Sequence, residues 1–422
     1  MKTLALILFL LTYLLLILMP KYRTQVAVVV AFLFVLLGIL PYNKVFSTID
    51  WNVILMITGT MGIVSLFIES KMPAAMADFI VDRVGSVKWV IISLSLFAGI
   101  VSAFIDNVAT VLIIAPVALN LARRINISPV YMLIAISISS NLQGAATLVG
   151  DTTSLLLGGF ANMDFLDFFF FKGRIGLFFI VQLGAIVASF VLVVFFRKYN
   201  QPIHLEEREK VEDMFPTYLI LSMVVLLILA SFIPNKPSIT NGLICVILLQ
   251  IGLIKELLIN KNKDALNATL LQIDYQTILI LMSLFIIIGG ITEVGVINDI
   301  SKLFLKFGNG GLFTIYSLFV WFSVVVSAFI DNIPYTATML PVAAKVAAGM
   351  GIEPYVLYYG LLVGATLGGN ITPIGASANI TTLGILRNEG YEVKAKDFMK
   401  LSVPFTLSAV ISGYIVAWLI WM

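Results

Sequence analysis

The chain has 422 residues, of which 60% are hydrophobic and only 12% charged, and its mean hydropathy is +1.06. That composition excludes the soluble globular classes, and a net charge of +3 with basic residues scattered between apolar runs excludes a nucleic-acid patch. One cysteine, Cys245, excludes an internal disulfide, and one histidine, His204, excludes a multi-histidine metal centre and reads as a solvated loop residue.

A bilayer core is crossed by about 20 apolar residues, and the chain holds roughly ten such runs. The first, "MKTLALILFLLTYLLLILMPKYR", is too long for a signal peptide and lacks a small-x-small cleavage site, so it reads as a span. The first repeat is expected over 1–196, with helices near 3–19, 25–41 and 51–68 and an amphipathic interfacial helix over 70–86. It continues with a re-entrant hairpin over 87–122, a broken helix over 129–163 and a helix over 173–196. A charged linker, 197–215, separates it from the second repeat, 216–422. There the same order returns: runs at 216–233, 238–255 and 275–291, an amphipathic piece at 293–309, a hairpin at 311–347, a broken helix at 354–386 and a last span at 401–421.

Four landmarks keep one register. Asp50 and Asp274 open matching runs, and Glu69 and Glu293 close them. "SAFIDN" occurs at Ser102–Asn107 and again at Ser327–Asn332, and "GAATLVGDTTS" lies over "GNITPIGASAN" at the same offset. The chain is therefore an internal duplication. With each hairpin entering and leaving on one side, each half has five crossings, so the halves are inverted. This arrangement puts 18 of the 26 Lys and Arg residues on one face and 8 on the other, which makes the first face cytoplasmic and places both termini outside. The N-x-[ST] triplets at Asn126, Asn267, Asn370 and Asn379 then fall in the cytoplasm or the membrane and are not glycosylation sites.

A hairpin inside a bilayer breaks its helix at the tip, and the freed backbone groups persist only against protein or a wet cavity. Two inverted hairpins should therefore meet at one central site, the layout of secondary transporters. Asp106 and Asn107 sit at the first tip, and Asp331 and Asn332 at the second, with Pro334 in the first turn of the returning helix. Aspartate and asparagine cap helices well. A buried carboxylate also needs a partner, and no Lys or Arg lies within these apolar runs, so Na⁺ or H⁺ is the expected ligand. The Gly/Thr-rich breaks cannot be comfortable helix interiors, and they offer carbonyls, N–H groups and hydroxyls to an ion or substrate. The candidate residues are Asp106, Asn107, Thr110, Asp331, Asn332 and Thr336 at the tips. At the breaks they are Thr147, Gly150, Asp151, Thr152, Ser154, Asn370, Thr372, Gly375, Ser377 and Asn379. Asp106, Asn107, Asp331 and Asn332 are the Na⁺ candidates.

"SAFIDNVATVLIIAPV" with "GAATLVGDTTS", and "SAFIDNIPYTATMLPV" with "LGGNITPIGASANITTLGILRNEGY", resemble the ion transporter superfamily. The resemblance is to its arsenite permease and sodium/proton antiporter D branch, which includes the melanosomal P protein; the divalent anion/sodium symporters are more distant. It implies an all-α polytopic membrane protein of about ten transmembrane helices and two re-entrant hairpins. It also implies scaffold and transport domains, a homodimer and an elevator motion in the plasma membrane. Where the dicarboxylate relatives carry Ser-Asn-Thr at the tips, this chain has Asp106, Asn107, Val108 and Asp331, Asn332, Ile333, which favours a cation or proton there.

The expected function is transport of a small anion or neutral oxyacid coupled to Na⁺ or H⁺, with no other cofactor. A Na⁺/H⁺ antiporter is the alternative and an ion channel a further one. The absence of a phosphate loop, a His/Cys metal set and a Ser-His pair makes an enzyme the weakest reading.

Overall fold

The computed structural model describes residues 1–201, 210–258, 269–307 and 311–422; His204, Asn267 and the middle of the charged linker lie outside them. The first half comprises α1 (Lys2–Leu18), α2 (Arg23–Leu36), α3 (Val45–Thr48), α4 (Trp51–Glu69), α5 (Met72–Asp82), α6 (Val87–Ser102) and α7 (Asn107–Arg124). It continues with α8 (Val130–Gly144), α9 (Thr152–Ala161), a short ribbon of β1 (Phe170–Phe171) and β2 (Arg174–Ile175), and α10 (Leu177–Phe195). The second half comprises α11 (Phe215–Ser231), α12 (Thr240–Leu258), α13 (Tyr275–Glu293), α14 (Val296–Phe307), α15 (Leu312–Ser327) and α16 (Asn332–Met350). It ends with α17 (Tyr355–Gly368), α18 (Ser377–Asn388) and α19 (Ala395–Trp421). Of these, α4, α7, α10, α12, α13 and α19 are each long and apolar enough to cross a membrane alone. The chain is a polytopic all-α protein.

Aspartates start the helices that matter most. Asp50 accepts from the Val53 N–H (3.1 Å) at the head of α4, and Asp274 accepts from the Thr277 N–H (3.0 Å) at the head of α13. Such caps contribute about 1 kcal/mol each. Pro116 in α7 and Pro341 in α16 occupy matching positions, and each removes one backbone donor inside its helix. Between the halves, α4 packs along α12 and α2 along α13. The α4–α12 seam is set by small residues: a Cβ on Gly59 would lie 2.5 Å from the Cys245 carbonyl carbon, and one on Gly242 would lie 2.9 Å from the Asn52 carbonyl oxygen.

Ring contacts locate the hairpin mouths. At one end, the Lys88 N–H that begins α6 donates to the Tyr199 carbonyl (2.7 Å). Tyr199 meets Phe196 edge to face, and Phe195 meets Tyr131 in the same way, just after α7 has ended. The start of α6 and the end of α7 are thus neighbours, and α6–α7 is a hairpin. At the other end, Phe313 of α15 lies against Trp418 and Tyr355, just past α16, lies against Trp421. The helices α10 and α19 run antiparallel, because Arg174 donates to the Ile420 carbonyl (2.7 Å) and Trp421 donates to the Ile175 carbonyl (3.0 Å). The mouth of α6–α7 is at the C-terminus of α10 and that of α15–α16 at the C-terminus of α19, so the two hairpins open at opposite ends.

Candidate functional site

Each hairpin tip is built around its aspartate. Asp106 Oδ1 accepts from the N–H groups of Val108 (2.9 Å) and Ala109 (3.2 Å), and Asp331 Oδ1 accepts from Ile333 (3.1 Å). The tip is then clamped to the broken helix of its own half. The Thr147 hydroxyl donates to the Ala103 carbonyl, and the Thr372 hydroxyl to that of Ala328, the same pair 225 positions on. A Cβ on Gly150 would lie 2.6 Å from the carbonyl oxygens of Gly144 and Ser102; on Gly375 it would lie 2.6 Å from that of Gly369 and 2.8 Å from that of Ser327. Only glycine lets the break approach the tip so closely.

A buried polar chain then crosses between the halves. Asn107 Nδ2 donates to Asn141 Oδ1 (2.8 Å), and Asn141 Nδ2 donates to the Thr366 carbonyl (2.8 Å). The Thr366 and Thr153 hydroxyls share a hydrogen bond (2.8 Å), and Thr153 donates to Asp151 Oδ2 (2.6 Å). Asn141 and Thr366 are repeat equivalents, so their contact straddles the axis that relates the two halves. Nearby, Ser137 donates to Asn379 Oδ1 (2.8 Å), and Asn370 Nδ2 donates to the Ile138 carbonyl (2.9 Å). The Asn370 Oδ1 and Thr336 hydroxyl are buried without a partner among the described residues.

Both tips and both breaks border one cavity of about 430 Å³. Asp106 and Asn107 reach it from the first hairpin, Asn332 from the second, and Asp151, Thr152 and Ser377 from the heads of α9 and α18. Asp274, Gln272 and Thr277 line one side, and Met61, Val64, Ser65 and Ile68 of α4 give it a largely apolar wall. Among the described residues no Lys, Arg or His lines it. Asp151 lies in electrostatic range of both Asp106 and Asp331.

A family model described as citrate transporter (CitMHS) matches residues 13–364. The chain belongs to the citrate transporter family. An uncharacterized transporter of Mycobacterium tuberculosis is 31% identical, over 94% of this chain and 93% of that one. Human P protein is 26% identical over 88% of this chain and 54% of its own length. Among solved structures, the YdaH transporter of Alcanivorax borkumensis superposes with a TM-score of 0.61 at 12% identity, covering 89% of this chain and 87% of that one, which shows a shared fold.

Of the candidate residues read from the sequence of this citrate transporter family member, six border the cavity: Asp106, Asn107, Asp151, Thr152, Asn332 and Ser377. The rest stand behind them. Thr110 bonds the Asp106 carbonyl (3.0 Å), Ser154 bonds the Ala145 carbonyl (3.2 Å), and Asn379 Nδ2 holds the carbonyls of Gly369 (3.2 Å) and Thr372 (3.1 Å). One expectation is corrected: Asp331 has a basic partner, Arg23, whose Nη1 lies 3.2 Å from Oδ2. Reading within the apolar runs alone could not find it, because Arg23 comes from the α1–α2 turn, 308 residues away. Asn141, Ser137 and Thr366 were also passed over. The polar run "SISSN" inside α8 is the signal that would have marked the first two.

The two halves differ in how closely the broken helix sits against the head of the facing helix. At the head of α4, Gly159 of α9 is so close that a Cβ there would lie 2.3 Å from Asp50 Oδ2 and 2.7 Å from Val53 Cγ2. The equivalent Gly384 of α18 has nothing within 4 Å, although Asp274 is the counterpart of Asp50. Likewise α9 is buried from Thr152 to Gly158, whereas only Ala378, Asn379, Thr382 and Leu386 are buried in α18.

Proposed function

We propose that the chain is a cation-coupled secondary transporter in which Na⁺ or H⁺ binds at Asp106 and Asp151 and a small oxyacid or carboxylate is the cargo. The observation that carries this is the cavity lining: three carboxylates, Asp106, Asp151 and Asp274, with no basic side chain beside them among the described residues. Carboxylates gathered at membrane depth need protons or cations, and they repel a free anion. The cargo therefore enters neutral or charge-compensated. Arsenite-like oxyacids meet that requirement when protonated. A citrate-like carboxylate, in keeping with the family's description, would meet it when protonated or bound to a metal cation.

The shut contact at Asp50 and the open one at Asp274 support alternating access, with the present state open where the first hairpin has its mouth. By the distribution of Lys and Arg that end is cytoplasmic. The hairpins and broken helices would move as an elevator against α1, α2, α4, α11, α12 and α13, within a homodimer in the plasma membrane. The acid-only lining also favours a second reading, direct Na⁺/H⁺ exchange.

Proteoliposomes separate the two. Under an imposed pH gradient with Na⁺ and no other solute, the main reading expects no sustained Na⁺ flux until a neutral oxyacid or a carboxylate is added. Uphill Na⁺ movement without cargo would establish the antiporter instead. Cargo uptake indifferent to both Na⁺ and pH would remove cation coupling altogether.

A further inference from the structure

The two hairpin tips are copies in sequence but not in charge. Asp106 and Asp331 use one carboxylate oxygen each for capping. The second oxygen of Asp331 meets Arg23, while Asp106 has no basic partner among the described residues and faces the cavity. Both members of the Arg23–Asp331 pair are mostly buried, with 25% and 18% of their side chains exposed. Arg23 Nε also donates to the Leu16 carbonyl (3.3 Å), so the guanidinium is held against the last turn of α1. Lys236, in the corresponding turn before α12, is engaged by Asp164 (2.7 Å) and the Ala230 carbonyl (2.7 Å) instead.

The pair also ties the first half of the chain to the second. Lys2 at the head of α1 bridges Asp299 of α14, and Leu305 of α14 abuts Gly349 at the end of α16. The head of α1 is therefore at the mouth of the second hairpin, and the α1–α2 turn is at the opposite end. The tip of the second hairpin has crossed to reach it. Tyr13 of α1 follows the hairpin down, donating to the Pro334 carbonyl (2.6 Å) and sharing a hydrogen bond with Thr338 (2.5 Å).

Resting on the alternating-access, cation-coupled reading above, we propose that Arg23 is a tethered cation that takes over Asp331 when the second hairpin reaches this position, displacing a further coupling Na⁺ or H⁺, beside that at Asp106 and Asp151, which Asp331 carries when the hairpin is withdrawn. A buried carboxylate left bare is strongly unfavourable. The other charged groups in electrostatic range of Asp331 are Asp274 and Asp151, both acidic, and the nearby ring hydroxyl is that of Tyr13. Withdrawn from Arg23, Asp331 has only a mobile cation to neutralise it. Docked on Arg23, it has a guanidinium that never loses its proton. The coupling cation is then released while the cavity is open at this end.

The test is a Na⁺ titration at fixed pH and a pH titration without Na⁺, followed by thermal shift of detergent-purified protein and by turnover in proteoliposomes. Arg23→Gln should bind the coupling cation at least tenfold more tightly and turn over at least tenfold more slowly. Arg23→Lys should stay near wild type, and in an Asp331→Asn background Arg23→Gln should add nothing. Unchanged cation affinity in Arg23→Gln, or the same shift with Asp331→Asn present, overturns the inference while leaving cation coupling intact. If Arg23→Gln does not fold, Arg23→His carries the comparison, charged at about pH 5.5 and neutral at about pH 8.5: cation binding tighter than wild type at the higher pH, and only when Asp331 is present, supports the proposal, and affinity equal to wild type at both pH values defeats it. A wild-type protein insensitive to Na⁺ and to pH brings down both readings together.

Discussion

An aspartate that caps a helix keeps one oxygen for other work. At Asp106 that second oxygen belongs to a residue on the cavity wall, and at Asp331 it is taken by Arg23. Asparagine caps as well as aspartate, so Asp106→Asn should fold with a melting temperature close to wild type, the cap changing by well under about 1 kcal/mol. The same variant should lose the Na⁺ and pH dependence of uptake. Wild-type dependence in the variant would take Asp106 out of the coupling site. The acids were legible in the sequence because a carboxylate inside an apolar run has no cheap explanation. Arg23 was not legible, because a basic residue after a span reads as an ordinary loop charge, and only the folded chain brings it to the second hairpin. Thr147 and Thr372 were legible as hydroxyls at membrane depth, but spacing could not say that each is spent on a hairpin carbonyl.

At the scale of helices, the hairpins and breaks were readable from hydropathy and punctuation: "SAFIDN" interrupts two long runs, and glycine and threonine interrupt two more. What hydropathy could not supply is how tightly each element sits against its neighbours in one state. The contrast between Gly159 and Gly384 supplies it, and it predicts opposite outcomes for the same substitution. In Gly159→Ala the new methyl meets the Asp50 carboxylate and Val53, which disfavours the present arrangement by about 1–3 kcal/mol. In Gly384→Ala the methyl has open space now and would collide only if α18 closed on Asp274. A Met61→Cys reporter in a Cys245→Ala chain, labelled with a membrane-impermeant maleimide, should therefore react more slowly with Gly159→Ala. With Gly384→Ala it should react as fast as, or faster than, the parent. Rates that move together would refute the assignment of open and shut ends.

For the whole molecule, the inverted duplication was visible as landmarks in register, and the direction of the halves followed from counting crossings. The axis itself was not visible, since it needs a residue touching its own copy, as Asn141 touches Thr366. Nor was the seam between α10 and α19, one end of which is pinned by Arg174 and Trp421. Trp421 also packs on Tyr359 and Phe171, and Trp421→Ala should cost about 3–5 kcal/mol, seen as a lower melting temperature. An unchanged melting temperature would mean the seam carries no strength.

That seam has a mechanical consequence. The antiparallel pair α10 and α19 has one mouth at its head and the other at its foot, so the two re-entrant loops enter the molecule from opposite directions. If the chain works as proposed above, one loop withdraws while the other stays seated, and a dissolved ion is kept from a continuous path through.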